Sequence, residues 1–310
     1  MIYRIVHRTR YDYDAPVTVS VGEVRQLVTD LDGQRCIDRD LTVRPEPEHQ
    51  RERADYFGNR VALFSVREPH TTLEVVATAT VDTSARAGSG APVDGVATEP
   101  WERVTVGPGT DLEVLEYAID SPLVVRSQDL VDYARPSFST GRPVGEALVE
   151  LCSRIHADFA FDPDATEVDT PLEEVLVLRR GVCQDFAHVL IGCLRSLGLA
   201  ARYVSGYLET DPPPGQERLV GADRTHAWVG VHLGAGGWFG IDPTNDQPAA
   251  ARYVTSAHGR DYGDVPPFKG VIFSEAETST LTVSVDVAPE DPDAEASDTE
   301  TSDSESPTSK

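Results

Sequence analysis

The stretch Arg180-Gly-Val-Cys-Gln-Asp-Phe-Ala-His188 puts one cysteine, Cys183, at the first position of an amphipathic helix. A thiol there meets unpaired backbone amides whose partial positive charge favours the thiolate, and the same N–H groups can hold an oxyanion. Downstream, Arg224-Thr-His-Ala-Trp228 opens a predicted strand, and Trp238-Phe-Gly-Ile-Asp-Pro-Thr-Asn245 forms another that ends in an acid. A cysteine nucleophile needs a base from another element and a third group that orients the base and stabilises its charged form. His226 and Asp242 can stand in that relation, so the chain offers a Cys183, His226, Asp242 triad. A buried structural thiol is the alternative for Cys183, and the two downstream partners weigh against it.

The glycines Gly234-Ala-Gly-Gly237 suit a turn between strands at 225–233 and 237–242. With Ala235 and Gly236 as the turn, paired residue numbers sum to about 471, and Asp242 falls within a few residues of His226. The sequence leaves the pairing itself open. Competing histidines fail on geometry. His188 lies roughly 140° around the helix from Cys183 at about 100° per residue. His232 shares a face with His226 but lies about 20 Å along the strand at about 3.3 Å per residue. Gln184 is either an oxyanion donor or a first-turn surface residue. Trp228 and Trp238 are either core aromatics or walls of a cleft.

The elements that must position these residues are legible from periodicity. Residues 2 to 13 alternate, with Tyr3, Ile5, Thr9, Tyr11 and Tyr13 on one face, which predicts a half-buried strand. Further strands are predicted at 40–45, 60–66 and 72–82, making residues 1–83 a β-rich sandwich or small barrel. Residues 84–100 lack periodicity and read as a linker. Helices follow at 112–119, 128–134 and 143–159, the last with Val144, Ala147, Leu148, Leu151, Cys152 and Ile155 as its apolar stripe. Thr170-Pro-Leu-Glu173 has the pattern of a capped helix start. The cysteine helix spans 183–197 and stops at Gly198. Strands at 200–208, 225–233, 237–242 and 281–287 complete a unit at 101–288, and 289–310 reads as an acidic disordered tail.

Composition narrows the function classes. The 310 residues, 40% hydrophobic, suffice for about two packed domains. The 52 acidic residues against 27 basic give a charge of −25, which argues against nucleic acid or an anionic membrane as partner. Only Lys269 and Lys310 are lysines. The tail contributes −7 of that charge, from eight acids and one lysine. Cys36, Cys152, Cys183 and Cys193 lack Cys-x-x-Cys spacing, so neither a disulfide framework nor a zinc site is indicated. No signal-peptide h-region or run of about twenty apolar residues is present, and a cytoplasmic protein is expected.

The blocks Gly181-Val-Cys-Gln-Asp-Phe-Ala-His188, Gly198-Leu-Ala-Ala-Arg-Tyr-Val-Ser-Gly-Tyr207, Thr225-His-Ala-Trp228 and Trp238-Phe-Gly-Ile-Asp-Pro-Thr-Asn245 resemble, in order and spacing, the core of the transglutaminase-like superfamily. Tyr3 to Tyr13, Asp55-Tyr-Phe-Gly-Asn59 and the strand near His70 resemble the β-rich N-terminal domain of its bacterial branch. The resemblance implies an α+β fold: a papain-like core, with the cysteine helix packed on an antiparallel sheet, preceded by an all-β domain. It implies Cys183 as nucleophile, His226 as base and Asp242 as orienting acid, with no cofactor and no metal. It further implies a cysteine enzyme acting on peptide or side-chain amides of a peptide or protein substrate, with peptide-ligase-like proteins as partners. Hydrolysis, as in a cysteine protease or amidase, is favoured. Amine transfer onto protein glutamine, and a non-catalytic peptide-binding or assembly module, are the rivals.

Overall fold

The alternation that opens the chain continues into one long strand, β1 (Ile2–Val24), followed by β2 (Arg35–Arg44), β3 (His49–Ala54), β4 (Arg60–Val66) and β5 (His70–Asp82). A computed structural model describes residues 1–86, 98–210 and 225–290. Next come the single turn α1 (Leu112–Leu115), α2 (Gln128–Ala134), α3 (Val144–Asp158), the short strand β6 (Ala160–Phe161), α4 (Leu172–Leu178), the short strand β7 (Arg180–Gly181) and α5 (Cys183–Ser196). The last strands are β8 (Ala201–Leu208), β9 (Thr225–His232), β10 (Trp238–Asp242), β11 (Gln247–Pro248), β12 (Tyr253–Gly259), β13 (Phe268–Ser274) and β14 (Ser279–Glu290).

The first sheet is antiparallel and curled, ordered β2-β5-β1-β4-β3, with β13 and β14 also paired to β1. The first half of β1 lies between β5 and β14, placing Ile5 opposite both Ala79 and Val287. Its second half lies between β4 and β13. The predicted second unit ends at 288, yet β13 and β14 return to the first sheet. An alternating run such as Leu281 to Val287 specifies a strand and an inward face without naming its partner, and β1 offered its edges. The predicted linker keeps a short 3-10 turn at Ser84–Arg86, while 87–97 lies outside the described residues. Of the predicted tail, residues 289 and 290 end β14 and the rest lies outside the described residues.

The second sheet runs β11-β10-β9-β8-β12, with α5 packed against β8 and β9 and in turn covered by α2, α3 and α4. Every residue from Gln184 to Arg195 is buried. The stripe of α3 is buried as its spacing requires, with Val144, Ala147, Leu148, Leu151 and Ile155 at 0% exposure. One expectation failed locally. The Thr170 hydroxyl does not cap α4 but accepts from the Glu167 amide at 2.8 Å, and Pro171 occupies the cap position. A Ser or Thr hydroxyl competes for nearby backbone in either direction.

The two sheets meet through a seam in which Tyr3, Ile5, Val81 and Val287 of the first contact Tyr207 and Val254 of the second. Strand β12 is the edge facing this seam, and its unpaired backbone groups need partners. Gln34 and Asn59 supply them. The Gln34 amide donates to the Thr255 carbonyl at 2.9 Å and accepts from the Thr255 N–H at 2.8 Å. The Asn59 amide does the same for His258, both at 2.8 Å.

Candidate active site

Helix α5 begins at Cys183 because its first turn is tied off by Asp185. The Asp185 carboxylate accepts from the Val182 N–H at 2.7 Å and from the Thr166 hydroxyl at 2.7 Å, while the Asp185 N–H donates to the Val182 carbonyl at 2.9 Å. Asp185 is 2% exposed, and burial pushes its carboxyl above the usual range against the pull of those donors. Gly181 has no Cβ because one would overlap that carboxylate. Asp185 is the first donor into the helix, so the amides of Cys183 and Gln184 precede its hydrogen-bond ladder. Cys183 is half-buried at this mouth.

The hairpin delivers the other two residues. Trp238 pairs with His232 and Ile241 with Val229, a register summing to 470, one residue tighter than anticipated. His226, two residues into β9, therefore meets the end of β10, and its Nε2 lies 2.7 Å from Asp242 Oδ2. The Cys183 thiol acts on the same imidazole from the mouth of α5. Burial opposes charge on His226, but Asp242 and Cys183 together outweigh it and raise its pKa to about 10. The structure thus brings Cys183, His226 and Asp242 into one constellation.

Asp242 is fully buried and surrounded by donors. Its Oδ2 accepts from Tyr253 Oη at 2.7 Å and Asn245 Nδ2 at 2.7 Å, and its Oδ1 from the backbone amides of Thr244 at 2.8 Å and Asn245 at 3.2 Å. Burial raises its carboxyl, yet His226, Asn245 and Tyr253 hold it below the usual range. Helix α3 fixes the turn from behind. Cys152 Sγ donates to the Asp242 carbonyl at 3.3 Å, and His156 Nδ1 lies 2.9 Å from the Thr244 carbonyl. The sequence reading placed Cys152 on an apolar stripe and His156 at a helix end, and it missed Tyr253. The Asp-Pro-Thr-Asn run was a signal for the turn. Nothing in the sequence marks Tyr253, which arrives from β12 across the sheet.

The remaining candidates divide. The Gln184 side chain is 9% exposed and donates to the Val168 carbonyl at 2.9 Å, so it braces the preceding loop, and the donors left for an oxyanion are backbone amides. Trp228 packs as a core aromatic with Val204 and Tyr253, and its ring stacks 6.2 Å from that of His226. His188 is buried and pushed down to about 4 by burial, and its Nε2 accepts from the Tyr262 N–H at 3.2 Å. Among the described residues, no group of three or more His, Cys, Asp or Glu side chains is arranged to hold a metal. No helix among them is long and apolar enough to cross a membrane.

Comparison with known proteins bears on the family and the fold. Residues 3–82 match the bacterial transglutaminase-like N-terminal region, and 132–243 match the transglutaminase-like superfamily. An uncharacterised protein of Mycobacterium tuberculosis is 43% identical over 293 residues, covering 93% of this chain and 92% of that one. A protein-glutamine gamma-glutamyltransferase of Pseudomonas aeruginosa is 29% identical over 120 residues, 38% of this chain and 18% of that one. A solved Cytophaga hutchinsonii structure, provisionally described as a cysteine protease, superposes with a TM-score of 0.70 at 20% identity over 94% of this chain and 92% of that one. At that identity the likeness shows the fold.

Proposed function

Because the chain belongs to the transglutaminase-like superfamily, we propose that it is a cysteine-dependent enzyme that opens amide bonds through a thioester acyl-enzyme, with water as the usual acceptor. The observation that carries this reading is the His226 imidazole fixed by the Asp242 carboxylate, 2.7 Å from Nε2, with the Cys183 thiol acting on the same ring. With Nε2 engaged by Asp242, Nδ1 is the nitrogen left for the thiol.

The Cys183 thiol passes its proton to His226, and the sulfur attacks the amide carbon, forming the C–S bond and moving an electron pair onto the carbonyl oxygen. The amides of Cys183 and Gln184, ahead of the helix ladder, stabilise that oxyanion. The imidazolium of His226 gives its proton to the departing nitrogen as the C–N bond breaks, leaving a thioester and a free amine. Water then attacks the thioester and gives His226 a proton, and the acid leaves as sulfur regains its electron pair. Asp242 keeps the imidazole oriented throughout and stabilises its charged form, a role that five hydrogen-bond donors hold it in place to perform. A primary amine in place of water makes the same site a transferase, and the alignment with the Pseudomonas aeruginosa protein favours keeping that second reading.

The test is a panel of blocked glutamine peptides and peptide amides incubated with the full chain, with and without monodansylcadaverine, read by mass spectrometry. Hydrolysis predicts the free acid in both arms. A dansylated product instead identifies the transferase. The proposal fails if neither product nor acyl-enzyme forms on any member.

A further inference from the structure

On the sheet face that carries Trp228, a cavity of about 500 Å³ is lined by Arg202, Trp228, Trp238 and Phe239, with Asp32 and Arg86 from the N-terminal half. Arg202 is its unusual member. Its guanidinium carbon sits 4.2 Å over the centroid of the Trp238 ring, and its Nε is buried without a hydrogen-bond partner. Among the described residues it makes neither hydrogen bond nor ion pair. The contrast is Arg195, fully buried, which donates to the carbonyls of Tyr117, Ile119, Ala201 and Arg260 and to the Ser121 hydroxyl, whereas Arg202 is half-buried with only its Nε closed off.

Even half-burying a guanidinium without an anion is costly, and an acidic chain has carboxylates to spare for it. None is used. The one acid among the described residues lining the cavity, Asp32, is exposed and acts on Arg86, whose guanidinium also donates to the Tyr253 carbonyl at 2.8 Å. Space for Arg202 is kept by Gly230, where a Cβ would meet its Cγ and Nε, both at 3.0 Å. A charge of −25 repels anions over the molecule as a whole. An unpaired cation stacked on an aromatic wall is therefore a local exception with room for a ligand.

Its distance from the triad follows from the ladder. Arg202 pairs opposite Gly230 and His226 opposite Gly206, four residues apart, or about 13 Å at about 3.3 Å per residue. Trp228 lies between them and touches both places. An extended peptide covers that span with about four residues. We propose that this cavity is a carboxylate-binding subsite through which the enzyme selects peptides bearing an acidic group about four residues from the reacting amide. The inference rests on the amide-directed reading of the triad.

The experiment measures binding, so it does not require turnover. Titration calorimetry on the full chain carrying Cys183→Ala compares acetyl-Gln-Gly-Gly-Gly-Glu-amide, its reversed-order counterpart, the same pair with glutamine replacing glutamate, and acetyl-Gln-Gly-Gly-Gly-Gly with a free C-terminus. At least one carboxylate peptide binds about tenfold or more tighter than the neutral ones, and whichever does so identifies side chain or C-terminus as the source. Arg202→Gln reduces that preference to within about twofold with the thermal midpoint kept. If Arg202→Gln unfolds, Gly230→Ala, which displaces the guanidinium while keeping it, should level the preference. The proposal is overturned if neutral and charged peptides bind alike, or if the preference survives in the folded variant. An unreactive Cys183 with an intact acid preference would instead sink the catalytic reading and leave the subsite standing.

Discussion

Replacing Asp242 by Asn should separate the orienting role of this carboxylate from everything else in the site. The wild-type imidazole of His226 keeps its proton to about pH 10, although burial alone would drive its pKa down from 6.5. The opposing contributions come from Asp242 and Cys183, with the Asp242 hydrogen bond foremost among them. Asp242→Asn removes the charge and sets an amide NH2 or a neutral carbonyl against three converging groups, His226 Nε2, Asn245 Nδ2 and Tyr253 Oη. Breaking a buried pair costs about 3–5 kcal/mol, and about 1.4 kcal/mol corresponds to one pH unit, so the His226 midpoint should fall by about 2 pH units or more.

The linkage has a definite sign. A folded pKa raised above the unfolded value contributes stability that is complete below about pH 6.5 and lost as pH rises through about 10. Wild type should therefore lose stability between pH 7 and 10, and Asp242→Asn should be both less stable at pH 7 and flatter across that window. Asp242 itself acts at the other end. Its depressed pKa contributes stability above the ordinary carboxylate range that is lost as pH falls through the folded value. Imidazole titration by nitrogen-15 NMR, with His226→Gln to assign the resonance, reads the midpoint directly, and urea melts at pH 7 and 10 read the linkage. A midpoint that moves by less than about half a pH unit in Asp242→Asn would refute the reasoning.

Three further outcomes follow from the packing. Arg195→Met should cost about 3–5 kcal/mol by urea denaturation, because four carbonyls, those of Tyr117 and Ala201 buried, and the buried Ser121 hydroxyl lose their donor at once; a loss under about 1 kcal/mol would show that water replaces it. Asn59→Ala should cost about 1–3 kcal/mol and raise hydrogen exchange at His258, whose N–H and carbonyl it holds at 2.8 Å, while leaving the protection of α5 amides unchanged. Cys193→Ala, at a fully buried position, should lower stability by about 1 kcal/mol without altering thiol chemistry, whereas Cys183→Ala should abolish activity and leave the melt near wild type.

What the sequence revealed tracks how local each determinant is. The start of α5 depends on Gly181, Val182 and Asp185 within one turn, and its apolar stripe is continuous, so the placement of Cys183 was readable. His226 and Asp242 are joined by a short glycine hairpin, which is why their approach followed from counting even though the register was off by one. Strand β3 was invisible because His49-Gln-Arg-Glu-Arg-Ala54 is exposed throughout and carries no apolar alternation. Tyr253 and the Cys152 and His156 contacts join elements far apart in the chain, and no residue pattern announces them. The return of β14 to the first sheet has the same cause, since alternation fixes a strand's inward face whereas its neighbour is chosen by the rest of the fold, and β13, with no buried residue, carried no alternation to read.

The central claim is that Cys183 is a nucleophile activated by His226. Its most direct test is the rate of iodoacetamide alkylation against pH, with the modified cysteine identified by mass spectrometry, in wild type and in His226→Ala. The account predicts that Cys183 is labelled far ahead of Cys36, Cys152 and Cys193 at neutral pH, and that this selectivity collapses when His226 is removed. Slow labelling shared between the half-buried Cys36 and Cys183, unchanged by His226→Ala, would contradict it and make the protein a binding module built on the same fold.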